Sequence, residues 1–322
     1  MRYGKIPYVE KPFSRFVLGT SVKGMQNGKN SDGVLDGALE LGITAIDTAR
    51  GYGRSEYVLG EWMERRGVRG EVVLISKGGL DGLLGNRRVS EKNIRGDLEK
   101  SLDALRTDCI DLYFLHRDNG RYEAGEITEW MNALVREGKI GAWGVSNWTH
   151  QRIREAIGYA DAHGLQPPSA SQIHYGLAAT ELGGWRGCLS LTGEKNAEAR
   201  AWYESTQFPV TAYSPLGRGM FSGKFKSGDY AGARRAMDGA ARRGFLSAKN
   251  MERLRRAEEL SKKTGKSVPQ LALAWALASG MNVSVIIGSG RRQSLERNLP
   301  ALDVSLTPEE CAYLNLEADA AE

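Results

Sequence analysis

Ile110-Asp-Leu-Tyr-Phe-Leu-His116 is an apolar run of strand length closed by a histidine, and Ile140-Gly-Ala-Trp-Gly-Val-Ser146 is a second one closed by a serine. Between them, residues 127–137 carry the apolar spacing of an amphipathic helix. Both runs are apolar at nearly every position, which suits strands covered on both faces rather than on one. Strands of that kind, joined through a helix, belong to a parallel sheet.

The same unit repeats outward in both directions. Upstream lie Arg15-Phe-Val-Leu-Gly-Thr20 with a helix over 33–41, Thr44-Ala-Ile-Asp47 with a helix over 55–66, and Val72-Val-Leu-Ile-Ser-Lys77 with a helix over 91–105. Downstream come a helix over 150–163, then Ser169-Ala-Ser-Gln-Ile-His-Tyr175, Val210-Thr-Ala-Tyr-Ser214 and Val283-Ser-Val-Ile-Ile-Gly288. Eight β runs, each followed by helix-compatible sequence, predict an α/β protein of the (β/α)8 TIM-barrel type. An N-terminal β-hairpin precedes the first run, and residues 1–322 read as a single domain. Ser267-Val-Pro-Gln270 and Thr307-Pro-Glu-Glu310 place a hydroxyl, a proline and a Gln or Glu where a helix begins. Gly67 and Gly164 stand where helices end. Two long segments, 176–196 and 217–243, interrupt the rhythm after strands and are expected to cover the ligand-binding face.

Composition narrows the function classes. The net charge of +5 is mild, and basic and acidic residues are mixed along most of the chain. That balance favours an anionic ligand over a nucleic-acid partner, and no basic run interleaved with aromatics is present. The three cysteines, Cys109, Cys188 and Cys311, lie far apart without metal spacing, which fits a reducing cytoplasm. The N-terminus has no apolar signal core. The uncharged stretch 267–290 is broken by Ser279-Gly280-Met281-Asn282, so a buried helix, a turn and a buried strand explain it better than a membrane span.

Three of the strand runs close on ionisable groups: Asp47, Lys77 and His116. Tyr52 lies just past the first of them, in Ala49-Arg-Gly-Tyr-Gly-Arg54. An acid, a phenol, an amine and an imidazole therefore collect at one end of neighbouring strands, the end where parallel barrels bind ligands. Singly, each has a plainer role: Asp47 as a turn cap, Lys77 as a surface lysine, His116 as a core histidine, Tyr52 as a turn aromatic. Jointly, in that order, they point to a catalytic group.

The run Gly42-Ile-Thr-Ala-Ile-Asp-Thr-Ala-Arg-Gly-Tyr-Gly-Arg-Ser-Glu56 resembles the signature of the aldo-keto reductases around their catalytic aspartate and tyrosine. Leu112-Tyr-Phe-Leu-His116 is similar to that superfamily's histidine strand. The likeness continues through Gly144-Val-Ser-Asn147, Gln172, Ala212-Tyr-Ser-Pro-Leu-Gly217 and Ile287-Gly-Ser289 to Asn298, covering nearly the whole chain in order. It implies a bacterial-type oxidoreductase barrel that uses NADPH (NADP+) without a Rossmann fold. No strand-Gly-x-Gly-x-x-Gly-helix unit occurs in the sequence. A carbonyl accepting hydride develops negative charge on oxygen, so the site must offer a proton there. On this resemblance Tyr52 is the general acid in reduction and the base in oxidation. Lys77, paired with Asp47, is expected to favour the phenolate, and His116 to orient the carbonyl.

The resemblance also implies cofactor contacts. Ser146, Asn147 and Gln172 match the residues that hold the nicotinamide carboxamide, and Tyr213 the aromatic that stacks on the ring. Ser214, Leu216 and Gly217 match the pyrophosphate loop, with Gly19 and Thr20 at the end of the first strand. Gly288, Ser289 and Asn298 fall at the adenosine end. There Arg297 stands where an acidic residue often precedes the asparagine, and Arg291 or Arg292 is expected to meet the 2′-phosphate unless both are solvated helix-start residues. A small carbonyl or alcohol substrate, polar or sugar-like, is expected against Lys23, Met25, Trp148, the loop Arg117-Asp-Asn-Gly-Arg121, and Trp185 and Arg186. Three other readings stay open: an aldolase using Lys77 as a Schiff-base amine, a cofactor-binding regulatory subunit, and a sugar dehydrogenase working toward oxidation. Natural substrate and oligomeric state are not legible.

Overall fold

The computed structural model describes residues 1–82, 87–180 and 187–320. An antiparallel pair, β1 (Tyr3–Gly4) and β2 (Phe13–Ser14), precedes eight parallel strands. These are β3 (Phe16–Gly19), β4 (Ala45–Asp47), β5 (Val73–Gly78), β6 (Ile110–Leu115), β7 (Ile140–Ser146), β8 (Ser171–Gln172), β9 (Val210–Ala212) and β10 (Val283–Gly288). They close into a barrel in chain order, with β10 pairing β3. The (β/α)8 barrel and the N-terminal hairpin expected from the sequence are both present.

Successive side chains on a strand point to opposite faces, and that alternation builds the two cores. Phe16, Leu18, Ile46, Leu74, Tyr113, Leu115, Trp143 and Val145 point outward and pack beneath the helices. Val17, Ala45, Val73, Ile75, Leu112, Phe114, Ala142, Ala170 and Ile286 point inward and fill the barrel. The hairpin closes the floor: Ile6 and Phe13 join the inner cluster. Ser14 Oγ ties the hairpin to β4 by accepting from the Thr44 and Ala45 amides, each at 3.1 Å.

The helices form where their caps predict. Ser267–Gln270 and Thr307–Glu310 are capping boxes at the starts of Val268–Leu277 and Pro308–Asn315. Gly67 and Gly164 end Ser55–Arg66 and His150–His163 in the left-handed conformation. Helices Ser55–Arg66 and Glu91–Leu105 approach so closely at Gly60 that a Cβ there would lie 2.7 Å from Leu105 Cα and press on the Ala104 carbonyl. The stretch 267–290 is a helix, a turn and β10, and among the described residues no helix is long and apolar enough to cross a membrane.

The sequence predicts a longer strand over 169–175 than the barrel uses. After Gln172 the chain leaves the ladder, and His174 bridges instead to Ser190 and Tyr213. The segment 217–243 folds into a short 3-10 turn, Gly217–Gly219, and two helices, Tyr230–Ala236 and Gly239–Phe245.

Candidate active site

The inward alternation that places Ala45, Ile75 and Phe114 in the barrel core carries one step further to Asp47, Lys77 and His116. Strand period and register thus deliver the three groups to the top of one interior. Lys77 is fully buried; its Nζ donates to Asp47 Oδ2 and to the Thr48 carbonyl, both at 2.7 Å. Gln172, from across the barrel on β8, donates Nε2 to Asp47 Oδ1 at 2.9 Å. A buried carboxylate with both oxygens occupied and an ion-pair partner is a fixed point. Above it, Lys77 Nζ lies 4.7 Å from the centre of the Tyr52 ring. His116 meets the same ring edge-on, with centroids 5.7 Å apart.

The protonation states follow from this packing. Burial raises the Tyr52 phenol above its ordinary value, and the Lys77 cation offsets this only in part. Lys77 does favour the phenolate, as the sequence led us to expect, but desolvation outweighs the ammonium and the phenol keeps its proton. Burial also opposes the charge on Lys77, but Asp47 and Tyr52 together outweigh it and hold the amine above its ordinary value. Burial, with Lys77 and Arg117 adding to it, pushes His116 well below the usual imidazole range. The site at neutral pH holds a neutral imidazole, a phenol and an ammonium. His116 Nδ1 is buried without a partner among the described residues.

A cleft of about 1050 Å³ opens above these groups. Asp47, Tyr52 and His116 form one end of its wall, and Gly288 and Asn298 belong to the same wall. Gly19, Ser146, Asn147, Gln172, Tyr213, Ser214 and Leu216 also line it. Their polar atoms are already ordered. Ser146 Oγ donates to the Gln172 carbonyl at 2.8 Å, Asn147 Nδ2 donates to Ser146 Oγ at 3.0 Å, and the Tyr213 hydroxyl donates to Asn147 Oδ1 at 2.8 Å. Asn147 and Ser214 hold left-handed backbone conformations, with φ of 59° and 53°. Such strain in non-glycine residues persists only where the surroundings fix it, commonly at ligand sites. Gly217 stands behind the wall at φ 57°, where a Cβ would fall 2.6 Å from that of Ala178.

Some expected residues are placed elsewhere. Thr20 and Ser289 are buried outside the wall of the cleft, and Ser289 Oγ bonds to the Arg291 backbone. Arg292 pairs with Glu40 and, at 2.8 Å, with Glu296, while Arg291 is exposed beside it. Met25 is core and Trp148 is buried with its indole N–H toward the Arg117 carbonyl, so neither faces the cleft; Ser21, Val22 and Gln26 take that position instead. Lys23 is exposed and is not part of the wall either. Arg117 does line the cleft, whereas Asn119 turns inward to the Val89 carbonyl. Trp185 and Arg186 lie outside the described residues. Leu80, Cys188, Arg218, Ser222, Lys224, Met237 and Asp238 line the cleft and were not singled out by the sequence. The clustered Arg, Gly and Lys after β9 were the signal available for Arg218 and Lys224. Arg218 pairs with Asp238 at 2.7 Å, tying the ends of the covering segment to each other.

Residues 17–316 match the model of the Aldo/keto reductase family. The chain belongs to the aldo-keto reductase family. It is accordingly an oxidoreductase of a family that generally uses nicotinamide cofactors. It is 30% identical to an aldo-keto reductase of Strobilurus tenacellus, the match covering 90% of this chain and 81% of that one. It is 29% identical to an aldo-keto reductase of Schizosaccharomyces pombe whose name carries NADP(+), over 93% of this chain and 85% of the relative. A probable voltage-gated potassium channel subunit beta of Oryza sativa subsp. japonica is 29% identical over 87% of this chain and 85% of its own.

Proposed function

We propose that this aldo-keto reductase is an NADPH-dependent, cytoplasmic enzyme, working as one barrel domain, that reduces a small aldehyde or ketone with Tyr52 as general acid. The observation that carries this reading is the Tyr52 ring stacked over Lys77 at 4.7 Å, with Lys77 fixed by Asp47 at 2.7 Å. A phenol kept protonated by burial is in the form that a carbonyl oxygen gaining negative charge requires. As that charge develops, the Lys77 ammonium beneath stabilises the phenolate left behind. Neutral His116, edge-on to the same ring, would donate a hydrogen bond that orients the carbonyl.

The donor set suits a dinucleotide. The cleft has the volume and the polar lining for one, and Lys224 adds positive charge to its wall. Ser146, Asn147 and Gln172 would hold the carboxamide, Tyr213 the ring, and Ser214, Leu216 and Gly217 the pyrophosphate. Gly19 would support the ring side, with Thr20 buried behind it. Gly288 and Asn298 would hold the adenosine end with the exposed Arg291 beside them; Ser289, bonded to the Arg291 backbone, would shape that turn, and Arg292, engaged by Glu40 and Glu296, is the weaker choice for the 2′-phosphate. Hydride is the chemistry such a cofactor supplies when bound. The name of the fission-yeast relative supports NADP+ over NAD+.

The relationship to a channel subunit favours one other reading, a cofactor-binding regulatory protein with little turnover. Titrating tryptophan fluorescence with NADPH and NADH, then assaying simple aldehydes, separates the two. Tight NADPH binding with turnover supports the reductase; binding without turnover supports the regulatory subunit; no binding of either nucleotide sinks both.

A further inference from the structure

We propose that Arg117 makes this enzyme selective for carbonyl substrates that carry an anionic group, a carboxylate or a phosphate, a few bonds from the carbonyl. The inference rests on the reductase reading above and names its substrate class. Arg117 follows His116 directly, and its side chain shares the wall of the cleft with Tyr52 and His116. Its backbone is held by the Trp148 indole at 3.4 Å, and its stem runs beside the chain at Gly187, where a Cβ would lie 3.9 Å from Arg117 Cδ. The position is thus built rather than dangling.

What the guanidinium lacks is an anion. One N–H donates to the His116 carbonyl at 2.8 Å, and no carboxylate among the described residues pairs with it. The adjacent Asp118 is taken by Arg152 at 3.3 Å. Other arginines around the barrel show the contrast: Arg50, Arg69, Arg88 and Arg95 each hold a carboxylate at 2.7 to 3.0 Å. A half-buried guanidinium with unfilled donors, at the edge of a ligand cleft, is a receptor for a planar or tetrahedral oxyanion.

Its place decides which ligand that is. Arg117 follows His116 in the chain and lines the cleft together with Tyr52, His116 and Tyr213, so it stands at the reacting end. The cation suited to a dinucleotide phosphate, Lys224, comes instead from the covering segment after β9. An anion on Arg117 therefore belongs to the substrate. It is not part of the carbonyl itself, because that oxygen must meet Tyr52.

The test compares matched substrate pairs with NADPH at saturation: 4-oxobutanoate against its methyl ester, and glyceraldehyde 3-phosphate against glyceraldehyde. The expected result is a preference for at least one charged member of about 10- to 100-fold in kcat/KM, expressed mainly in KM, as a charge-assisted pair made equally in ground and transition states requires. Which pair shows it tells carboxylate from phosphate. In Arg117→Met that preference collapses toward unity, and in Arg117→Lys part of it returns; thermal melting of both variants checks their folding. Equal handling of charged and neutral members by the natural enzyme, or a preference that survives Arg117→Met, overturns the inference while leaving the reductase reading intact. No turnover of any of the four aldehydes, with no NADPH binding, removes both.

Discussion

At the residue scale, the account turns on charges held out of water. Lys77 and Asp47 are buried and face each other at 2.7 Å, so removing one strands the other. Lys77→Met is expected to lower unfolding stability by about 3–5 kcal/mol, measured by urea denaturation, and Lys77→Met with Asp47→Asn to recover part of that loss. Two buried histidines set a pH dependence with a definite sign. His174 is held to about 3 by burial, and His116 is displaced in the same direction. Below about pH 6.5 the unfolded chain takes up protons that the folded chain refuses, so stability is full above that value and falls as pH drops. His174 alone accounts for about 2 kcal/mol by about pH 5, and His174→Gln should flatten the melting curve against pH over that range. Asp47, Lys77 and His116 could be read from the sequence because a strand's two-residue period carries each inward position to the barrel's end. The bond from Gln172 to Asp47 could not, since it joins residues 125 apart in sequence and exists only once the barrel has closed.

At the scale of elements, capped helices and unbroken apolar strands were legible because their signals are local. The ends of the short strands β8 and β9 were not, because how far a strand stays in the ladder depends on its neighbours; His174 bonding to Ser190 ends one of them. Close approach of two helices is equally invisible in one helix's own sequence. Gly60→Val is expected to cost about 1–3 kcal/mol by forcing helix Ser55–Arg66 away from Glu91–Leu105, read out by thermal unfolding. The covering segment after β9 was recognisable by its length alone, but the Arg218–Asp238 tie that shapes it was not. Asp238→Ala should speed NADPH release up to about fivefold in stopped-flow fluorescence, the scale of a partly exposed ion pair.

At the scale of the whole molecule, the barrel separates stability from chemistry. The hairpin and the apolar layers of the interior hold one end, while every group assigned to catalysis sits at the other. Binding there must stabilise the whole fold: NADPH at about 100 times its dissociation constant should add about 2.7 kcal/mol, seen as a rise in melting temperature that NADH at the same concentration does not match. The central claim is that Tyr52 gives the proton. The most direct measurement is NADPH-dependent reduction of a simple aldehyde by Tyr52→Phe, with nucleotide affinity followed in parallel by tryptophan quenching. The account predicts a fall in kcat of about 100- to 10,000-fold with NADPH still bound. Turnover by Tyr52→Phe close to that of the natural enzyme would contradict it.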